Sequence, residues 1–170
     1  MGGHTRCPRR SHTDARGPAN GRGPSRFEPR FRCRRQHGLP VNLLCWGILD
    51  KGLPHIQRHR DTVIVIDHLG LLQPARPPVP ADVRADLPKL LALAQYENVR
   101  VKISGACTMS HQPFPYDDIW EPVLRVIDAF GLDRCMWGTD WTRTIGMLTY
   151  GRVWRRSATP NACPRATRRR

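Results

Sequence analysis

The chain has 170 residues, a length that suits one domain with one core and is too short for two ordinary domains. Its formal net charge is +14, but the charge is unevenly distributed. Residues 1–37 hold ten arginines against Asp14 and Glu28, residues 149–170 hold seven arginines and no acid, and residues 38–148 hold eleven basic against twelve acidic residues. The middle of the chain is therefore not a basic nucleic-acid-binding domain, because the excess charge belongs to the two ends.

The two ends also differ from the middle in composition. Their basic residues are all arginine, and neither end has an apolar run with the period of a strand or a helix. We predict that residues 1–37 and 149–170 are disordered, because they cannot bury enough surface to offset the entropy lost on ordering. Arginine with proline, glycine and alanine but no lysine is also typical of GC-rich codons read in a wrong frame, so we expect both ends to be off-frame sequence.

An arginine-rich arm that binds nucleic acid is the alternative interpretation of the ends, and it is disfavoured because the arms lack regularly spaced aromatic residues for base stacking. No segment approaches the roughly 18 apolar residues of a membrane span, and no apolar stretch of the kind found in signal peptides follows the basic N-terminus. We therefore expect a cytoplasmic protein that does not enter a membrane.

Strand-like and helix-like patterns alternate through residues 38–148. In chain order they predict a strand at 41–46 (VNLLCW), a short helix at 52–60, a strand at 62–66 (TVIVI), a helix at 81–96, a strand at 98–103 (NVRVKI), a helix at 116–130 and a strand at 134–137 (RCMW). Gly131 is placed to end the last of these helices. Such alternation predicts βαβ units and a parallel sheet, so the fold class is α/β.

Polar side chains follow three of the predicted strands. His68 follows TVIVI, Ser104 follows VRVKI and Asp140 follows MWGT. Because functional groups of parallel α/β folds lie at the carboxyl ends of strands, we expect these three residues at one rim. A neutral imidazole and a carboxylate on neighbouring strands can share a divalent metal, or the carboxylate can take a proton from metal-bound water.

Each candidate residue also has a simpler interpretation. His68 alone could be satisfied by a loop carbonyl, and Asp140 alone could cap the helix that follows it. Asp67 is expected to point away from His68 and to pack or cap. Lys102 is expected on the same side as Ser104, where it would need a carboxylate partner or a substrate anion.

Two histidines four residues apart, His55 and His59, could bind a metal on one helix face. They lie far from the predicted rim, so we expect them on a solvated helix face instead.

Three segments, VIVIDHLG, NVRVKISG and CMWGTDWTR, occur in this order within residues 38–148 and resemble the amidohydrolase-related family. Members of that family include lactone hydrolases and decarboxylases that act on carboxylate-rich aromatic breakdown products. The resemblance implies a (β/α)8 TIM barrel, of which the four predicted strands would be the last four. It also implies a divalent metal centre at the carboxyl rim, with zinc as the metal of the intact family fold.

The resemblance also implies roles for individual residues. His68 matches a histidine that ends the sixth strand and Asp140 matches the aspartate that ends the eighth, so both are candidate catalytic residues and metal ligands. Asp140 would be the general base, in a pocket walled by Trp137 and Trp141. The remaining candidates bind the substrate, a small molecule that carries a carboxylate: Arg143, Lys102, Ser104 and Trp141.

The sequence departs from the family pattern at the first strand, where members carry a His-x-His pair of metal ligands. None of the seven histidines forms such a pair. We therefore predict a truncated and impaired metal-dependent hydrolase of a lactone, ester or amide, or a decarboxylase, that holds its metal weakly. A non-catalytic arginine-rich nucleic-acid-binding protein is the alternative. Four strands would also leave two open sheet edges, so we predict homo-oligomers or aggregation.

Overall fold

A parallel four-stranded sheet forms the centre of the residues that the structure, a computed structural model, describes: 27–74 and 78–147. The strands pair in sequence order, and all pairs are parallel. They are β1 (Val41–Leu43), β2 (Ile64–Ile66), β3 (Val99–Ser104) and β4 (Cys135–Gly138). The predicted α/β class with a parallel sheet is confirmed.

Helices lie between consecutive strands, as the alternation predicted. The α-helices are α1 (Glu28–Gln36), α2 (Leu49–Arg58), α3 (Leu87–Ala92), α4 (Trp120–Phe130) and α5 (Trp141–Thr144). Helices α2, α3 and α4 form the three crossovers between neighbouring strands. Among the described helices, none is long and apolar enough to span a membrane.

A proline marks the start of α3 and a glycine marks the end of α4. Helix α3 is shorter than the predicted 81–96, because it begins at Leu87 with Pro88 in its first turn, a position that does not require an N–H donor. Helix α4 buries Val123, Val126 and Phe130 along one face. It ends at Gly131, whose positive φ of 76° favours glycine.

The sheet has one apolar face and one largely polar face. Side chains alternate along β3, so Val99 and Val101 are fully buried against the helices while Arg100 and Lys102 lie on the opposite face. The strand residues of the apolar face, Ile64, Ile66, Val99, Val101 and Ile103, pack in one cluster with helix residues such as Leu90, Val126 and Phe130. The described helices therefore cover one face of the sheet, which is the arrangement of a segment of a (β/α)8 barrel.

Helix α1 lies inside the segment 1–37 that the sequence predicted as disordered, and this is a correction. Phe31 is 2% exposed and stacks on the rings of His55 and His59, with centroids 5.5 and 4.1 Å away. His55 and His59 therefore pack under α1 instead of forming the predicted solvated face. Phe27, four residues before Phe31, also contacts the His55 ring, with centroids 5.5 Å apart. Two aromatic residues among arginines are too short a pattern to predict a helix. The remainder of 1–37 and all of 149–170 lie outside the described residues.

The free energy of unfolding should decrease as the pH is lowered, because His55 becomes protonated. Burial, and after it the charges of His59 and Arg58, lowers the pKa of His55 below its usual value, while Glu28 opposes this shift. The folded state thus favours the neutral ring, so its stabilising contribution is complete above about pH 6.5 and is lost as the pH falls through the lowered folded pKa.

We expect the urea midpoint to decrease from about pH 7 to about pH 5, and this decrease should be smaller in His55→Phe than in the wild type. The reason is that phenylalanine keeps the ring contact without titrating. His111→Phe, in an exposed loop, is the control and should keep the wild-type difference. An unchanged difference in His55→Phe would contradict the assignment.

The sheet edges should drive self-association. Within the described residues β1 and β4 each pair on one side only, and Met136 of β4 is 38% exposed. Unpaired edges recruit strands from other chains, so light scattering should give a mass above the 19.4 kDa of one chain. Met136→Lys should lower that mass, whereas Leu132→Lys, at an exposed site in the 3-10 turn before the strand, should not. A monomer at every concentration would contradict the expectation.

Candidate functional site at the carboxyl edge of the sheet

The carboxyl ends of β2, β3 and β4 bring His68, Ser104 and Asp140 together. The Ser104 hydroxyl lies 2.9 Å from His68 Nδ1, and Asp140 Oδ2 lies 3.5 Å from the same nitrogen. The strand register explains this meeting, because Ile66 is aligned with Val101 and Ser104 with Gly138. The sequence-based expectation that these three residues share one rim agrees with the geometry, while their chemical roles stay predictions.

Two residues of this group have a left-handed backbone. His68 has φ 53° and ψ 43°, and Asp140 has φ 52° and ψ 42°. Such a conformation costs a non-glycine residue about 1–2 kcal/mol. The surrounding contacts therefore hold both residues in conformations that an isolated chain would avoid, and strain of this kind is concentrated at functional sites.

Asp140 precedes α5, but its side chain does not cap that helix. The backbone carbonyl of Asp140 accepts hydrogen bonds from the N–H groups of Arg143 and Thr144, both at 3.0 Å. The carboxylate instead receives the guanidinium of Arg143, with Nε and Nη2 each 2.5 Å from Oδ2. Asp140 therefore occupies the N-cap position, as the simpler interpretation expected, but its carboxylate makes no capping hydrogen bond and faces the site.

Arg143 places a positive charge at this edge. Its side chain is 15% exposed, close to the 13% of Asp140, so the ion pair lies mostly out of water. The guanidinium also contacts Gln73 and Thr108, and its Cζ lies 5.5 Å from the centroid of the Trp46 ring. A mostly buried guanidinium paired with one carboxylate is suited to orient that carboxylate and to attract an anion.

Two residues of the site were missed by the sequence patterns. Gln73 is 2% exposed. Its side chain donates hydrogen bonds to the backbone carbonyls of His68 and Ser104 and accepts one from Arg143. Gly105 has φ 64°, and a Cβ there would overlap the Arg143 guanidinium and lie 2.8 Å from Asp140 Oδ2. The glycine directly after VRVKIS was a usable signal, whereas Gln73 in an irregular loop offered none.

Lys102 and Asp67 form a second charged pair beside the site. Lys102 Nζ lies 2.6 Å from Asp67 Oδ1, which also accepts a bond of 3.3 Å from Asn42 Nδ2. The carboxylate partner expected for a lysine on this face is therefore Asp67, so the substrate anion is not needed to balance the charge of Lys102. The predicted substrate-binding role of Lys102 stays a prediction.

Aromatic rings border the site, but the contacts found differ from those predicted. Trp46, at the end of the first predicted strand, has its ring centroid 6.0 Å from that of His68 and also lies under Arg143. Trp137 is 44% exposed and Trp141 is partly exposed. The wall of the site contacting His68 and Arg143 is thus formed by Trp46, a residue that sequence reasoning did not select, and the walls predicted from Trp137 and Trp141 stay predictions.

A buried thiol lies close to the ion pair. Burial raises the pKa of Cys107 to about 11, with Arg143 acting against this shift and Asp140 adding to it. The thiol form of Cys107 is therefore favoured at neutral pH, and the thiol is a weaker nucleophile than the thiolate.

His68 and Asp140 are the two candidate metal ligands that the described residues bring together. A separation of 3.5 Å between His68 Nδ1 and Asp140 Oδ2 suits two ligands of one tetrahedral zinc, which stand about 3.3–3.4 Å apart when the bonds are about 2.0–2.1 Å. Catalytic zinc needs about three protein ligands, and no group of three or more histidine, cysteine, aspartate or glutamate side chains that could hold a metal occurs within 27–74 and 78–147. Arg143 also holds the Asp140 oxygen. These residues therefore do not fit a complete metal site.

Comparison with known families gives a match along most of the chain. The family model described as Amidohydrolase matches residues 12–170. This range includes most of the two predicted tails, whose off-frame origin stays a prediction.

Two curated proteins are similar to the chain. A 4-sulfomuconolactone hydrolase of Rhizobium radiobacter is 35% identical over 54% of this chain and 29% of its own length. An L-fucono-1,5-lactonase of Burkholderia ambifaria is 32% identical over 68% of this chain and 39% of its own length. The chain thus spans well under half the length of these relatives.

A solved structure shows a similar fold. The crystal structure of an amidohydrolase from Burkholderia multivorans with bound zinc is 21% identical and has a TM-score of 0.59, over 74% of this chain and 45% of that one. The likeness confirms the predicted fold, in which the four strands correspond to part of a TIM barrel.

Zinc binding should be weak because two ligands hold a metal poorly. After dialysis against zinc-free buffer, we expect elemental analysis to find less than one zinc per chain. In zinc titrations His68→Ala should remove the residual binding, and His111→Ala, in an exposed loop, should leave it unchanged. One tightly held zinc per chain would contradict this prediction and would show that residues outside the described part supply ligands.

Proposed function

Because the chain belongs to the amidohydrolase family, as its three motifs predicted, we propose that it hydrolyses a lactone of a small anionic molecule, with Asp140 as the general base. Two relatives support the lactone class, since one is a 4-sulfomuconolactone hydrolase and the other an L-fucono-1,5-lactonase. Both names specify a cyclic ester, and this favours a lactone over an amide substrate or a decarboxylation.

The observation that carries the proposal is the contact of Asp140 with His68 and Arg143. Asp140 Oδ2 stands 3.5 Å from an imidazole nitrogen and 2.5 Å from a guanidinium at the carboxyl edge of a parallel sheet. A carboxylate fixed by two such groups keeps one orientation, which is what a general base needs toward a water molecule.

The proposed reaction is attack of water on the lactone carbonyl. Asp140 takes a proton from the water, the new C–O bond forms, and the ring C–O bond then breaks. The proton passes from Asp140 to the departing alkoxide, so the product is an open-chain hydroxy acid. Ser104 orients His68 beside this carboxylate through the 2.9 Å contact with Nδ1.

The substrate anion would bind near Arg143. The guanidinium presents several N–H donors in one plane, which suits a carboxylate or a sulfonate. Trp46 offers a partly exposed ring beside it, and a planar unsaturated lactone could pack there. We also propose that Ser104, Lys102 and Trp141 contribute polar and aromatic contacts to the same substrate.

A divalent metal is part of the proposal to a limited extent. Zinc is bound in the similar Burkholderia multivorans structure, and we propose that His68 and Asp140 are this chain's share of such a site. The described residues do not complete it, so the proton transfer is assigned to Asp140 and no step is assigned to a metal. The nucleic-acid-binding alternative concerns the two basic ends, and no contact within the described residues favours it.

Replacing Asp140 tests the function. Lactone ring opening, followed with a pH indicator on a panel of lactones with and without a carboxylate, should fall about 10²–10⁴-fold in Asp140→Asn, because the amide cannot accept the proton. Asp133→Asn, at an exposed site, is the matched control and should keep wild-type rates. Equal rates for Asp140→Asn and the wild type would refute the base assignment, and a wild-type chain without any turnover would refute the proposed activity of this chain.

A further inference from the structure

A single glutamine connects the three backbone segments that carry the site. Gln73 lies in the loop after the 3-10 turn Asp67–Gly70 and is 2% exposed. Its Nε2 donates to the carbonyls of His68 and Ser104, both at 3.0 Å, and its Oε1 accepts from Arg143 Nη2. Burial of a polar amide is tolerated when its hydrogen bonds are made, and here both N–H groups and the carbonyl oxygen are used.

The two donated bonds tie the ends of neighbouring strands. His68 follows β2 and Ser104 ends β3, so one amide group fixes the spacing between the imidazole and the hydroxyl that contacts it. The bond to the His68 carbonyl also supports the left-handed conformation of that residue. Loss of this bond would let the backbone relax toward an ordinary conformation and would move the ring.

The accepted bond holds the cationic side of the site. The Arg143 guanidinium bonds to Asp140 through Nε and Nη2 and to Gln73 through Nη2, and its Nη1 lies 3.4 Å from the Gln73 backbone carbonyl. The orientation of the amide is fixed by charge, since the opposite orientation would place its NH2 group against the guanidinium. Gln73 therefore restricts Arg143, and Arg143 restricts Asp140.

We propose that Gln73 is a positioning residue that couples the His68–Ser104 pair to the Arg143–Asp140 pair. This inference rests on the proposed function in one respect, namely that the coupled groups are those that bind and hydrolyse the lactone. The coupling itself is a property of the chain, and it can be measured without turnover.

Two variants separate the roles of the amide. Gln73→Leu removes the donors and the acceptor at similar volume. Gln73→Glu keeps an acceptor for Arg143 but removes the donors to the His68 and Ser104 carbonyls. Gln57→Leu is the matched control, because Gln57 makes a side-chain bond of 3.2 Å to Tyr96 away from the site.

The readouts are the nitrogen and hydrogen NMR signals of the His68 ring and the Arg143 Nε–H group, assigned with His68→Ala and Arg143→Met. In the wild type we expect a slowly exchanging Arg143 Nε–H signal. Gln73→Leu should broaden or remove it and shift the His68 ring nitrogens, whereas Gln73→Glu should shift His68 but retain the Arg143 signal. The backbone spectrum of β1 and β4 should be unchanged in both variants, and Gln57→Leu should change neither side-chain signal.

Turnover provides the second readout. If the wild type opens lactones, Gln73→Leu should lower kcat about 100-fold through misplacement of the base, while Gln57→Leu keeps the wild-type kcat. Wild-type side-chain signals in a folded Gln73→Leu would overturn the inference whatever the activity, as would an unchanged kcat in an active enzyme. Altered signals in a chain that opens no lactone would support the coupling and count against the proposed function alone.

Discussion

The parallel register of β2, β3 and β4 is the constraint on which the rest of the molecule depends. Pairing of Ile66 with Val101 and of Ser104 with Gly138 places the residues after each strand at one height along the sheet. The Ser104 hydroxyl and the Asp140 carboxylate thereby come within 3.5 Å of His68 Nδ1, although His68 and Asp140 are 72 residues apart in the sequence. A slip of one residue in any pair would turn these side chains to the other face, where the helices pack.

The same register leaves charged groups that must find partners. Asp140 and Arg143 lie mostly out of water, as do Asp67 and, in part, Lys102. Each cation pairs with a carboxylate at hydrogen-bonding distance, and an unpaired member would leave a buried charge that costs several kcal/mol. The local pair of Asp140 and Arg143, three residues apart, is joined to the distant strand ends through Gln73. The contacts that neutralise the charges at this edge thus also fix the positions of the charged side chains.

Helix α1 adds Phe31 to the hydrophobic core. Phe31 inserts its ring beside His55 and His59, and Glu28 lies 3.4 Å from the imidazole of His59. This packing covers the outer face of α2 and makes the folded chain sensitive to protonation of His55. The segment that precedes the sheet therefore contributes to stability through the apolar contact of Phe31 and through the favoured neutral form of His55.

The sequence by itself determined the order and type of the main elements and the rim that carries the site. Strands rich in β-branched residues and helices with an apolar face are encoded by local periodicity, and the residues after the strands follow from the parallel topology. His68, Ser104 and Asp140 could therefore be selected in advance, whereas Arg143 was selected through the family resemblance. Only the tertiary structure decided that Gln73, Gly105 and Trp46 belong to the same site, that Asp67 neutralises Lys102, and that α1 packs on α2. Each of these contacts is made by a single side chain to a residue that the fold brings close. Such a contact produces no periodic pattern in the sequence, so it could not be predicted from the sequence.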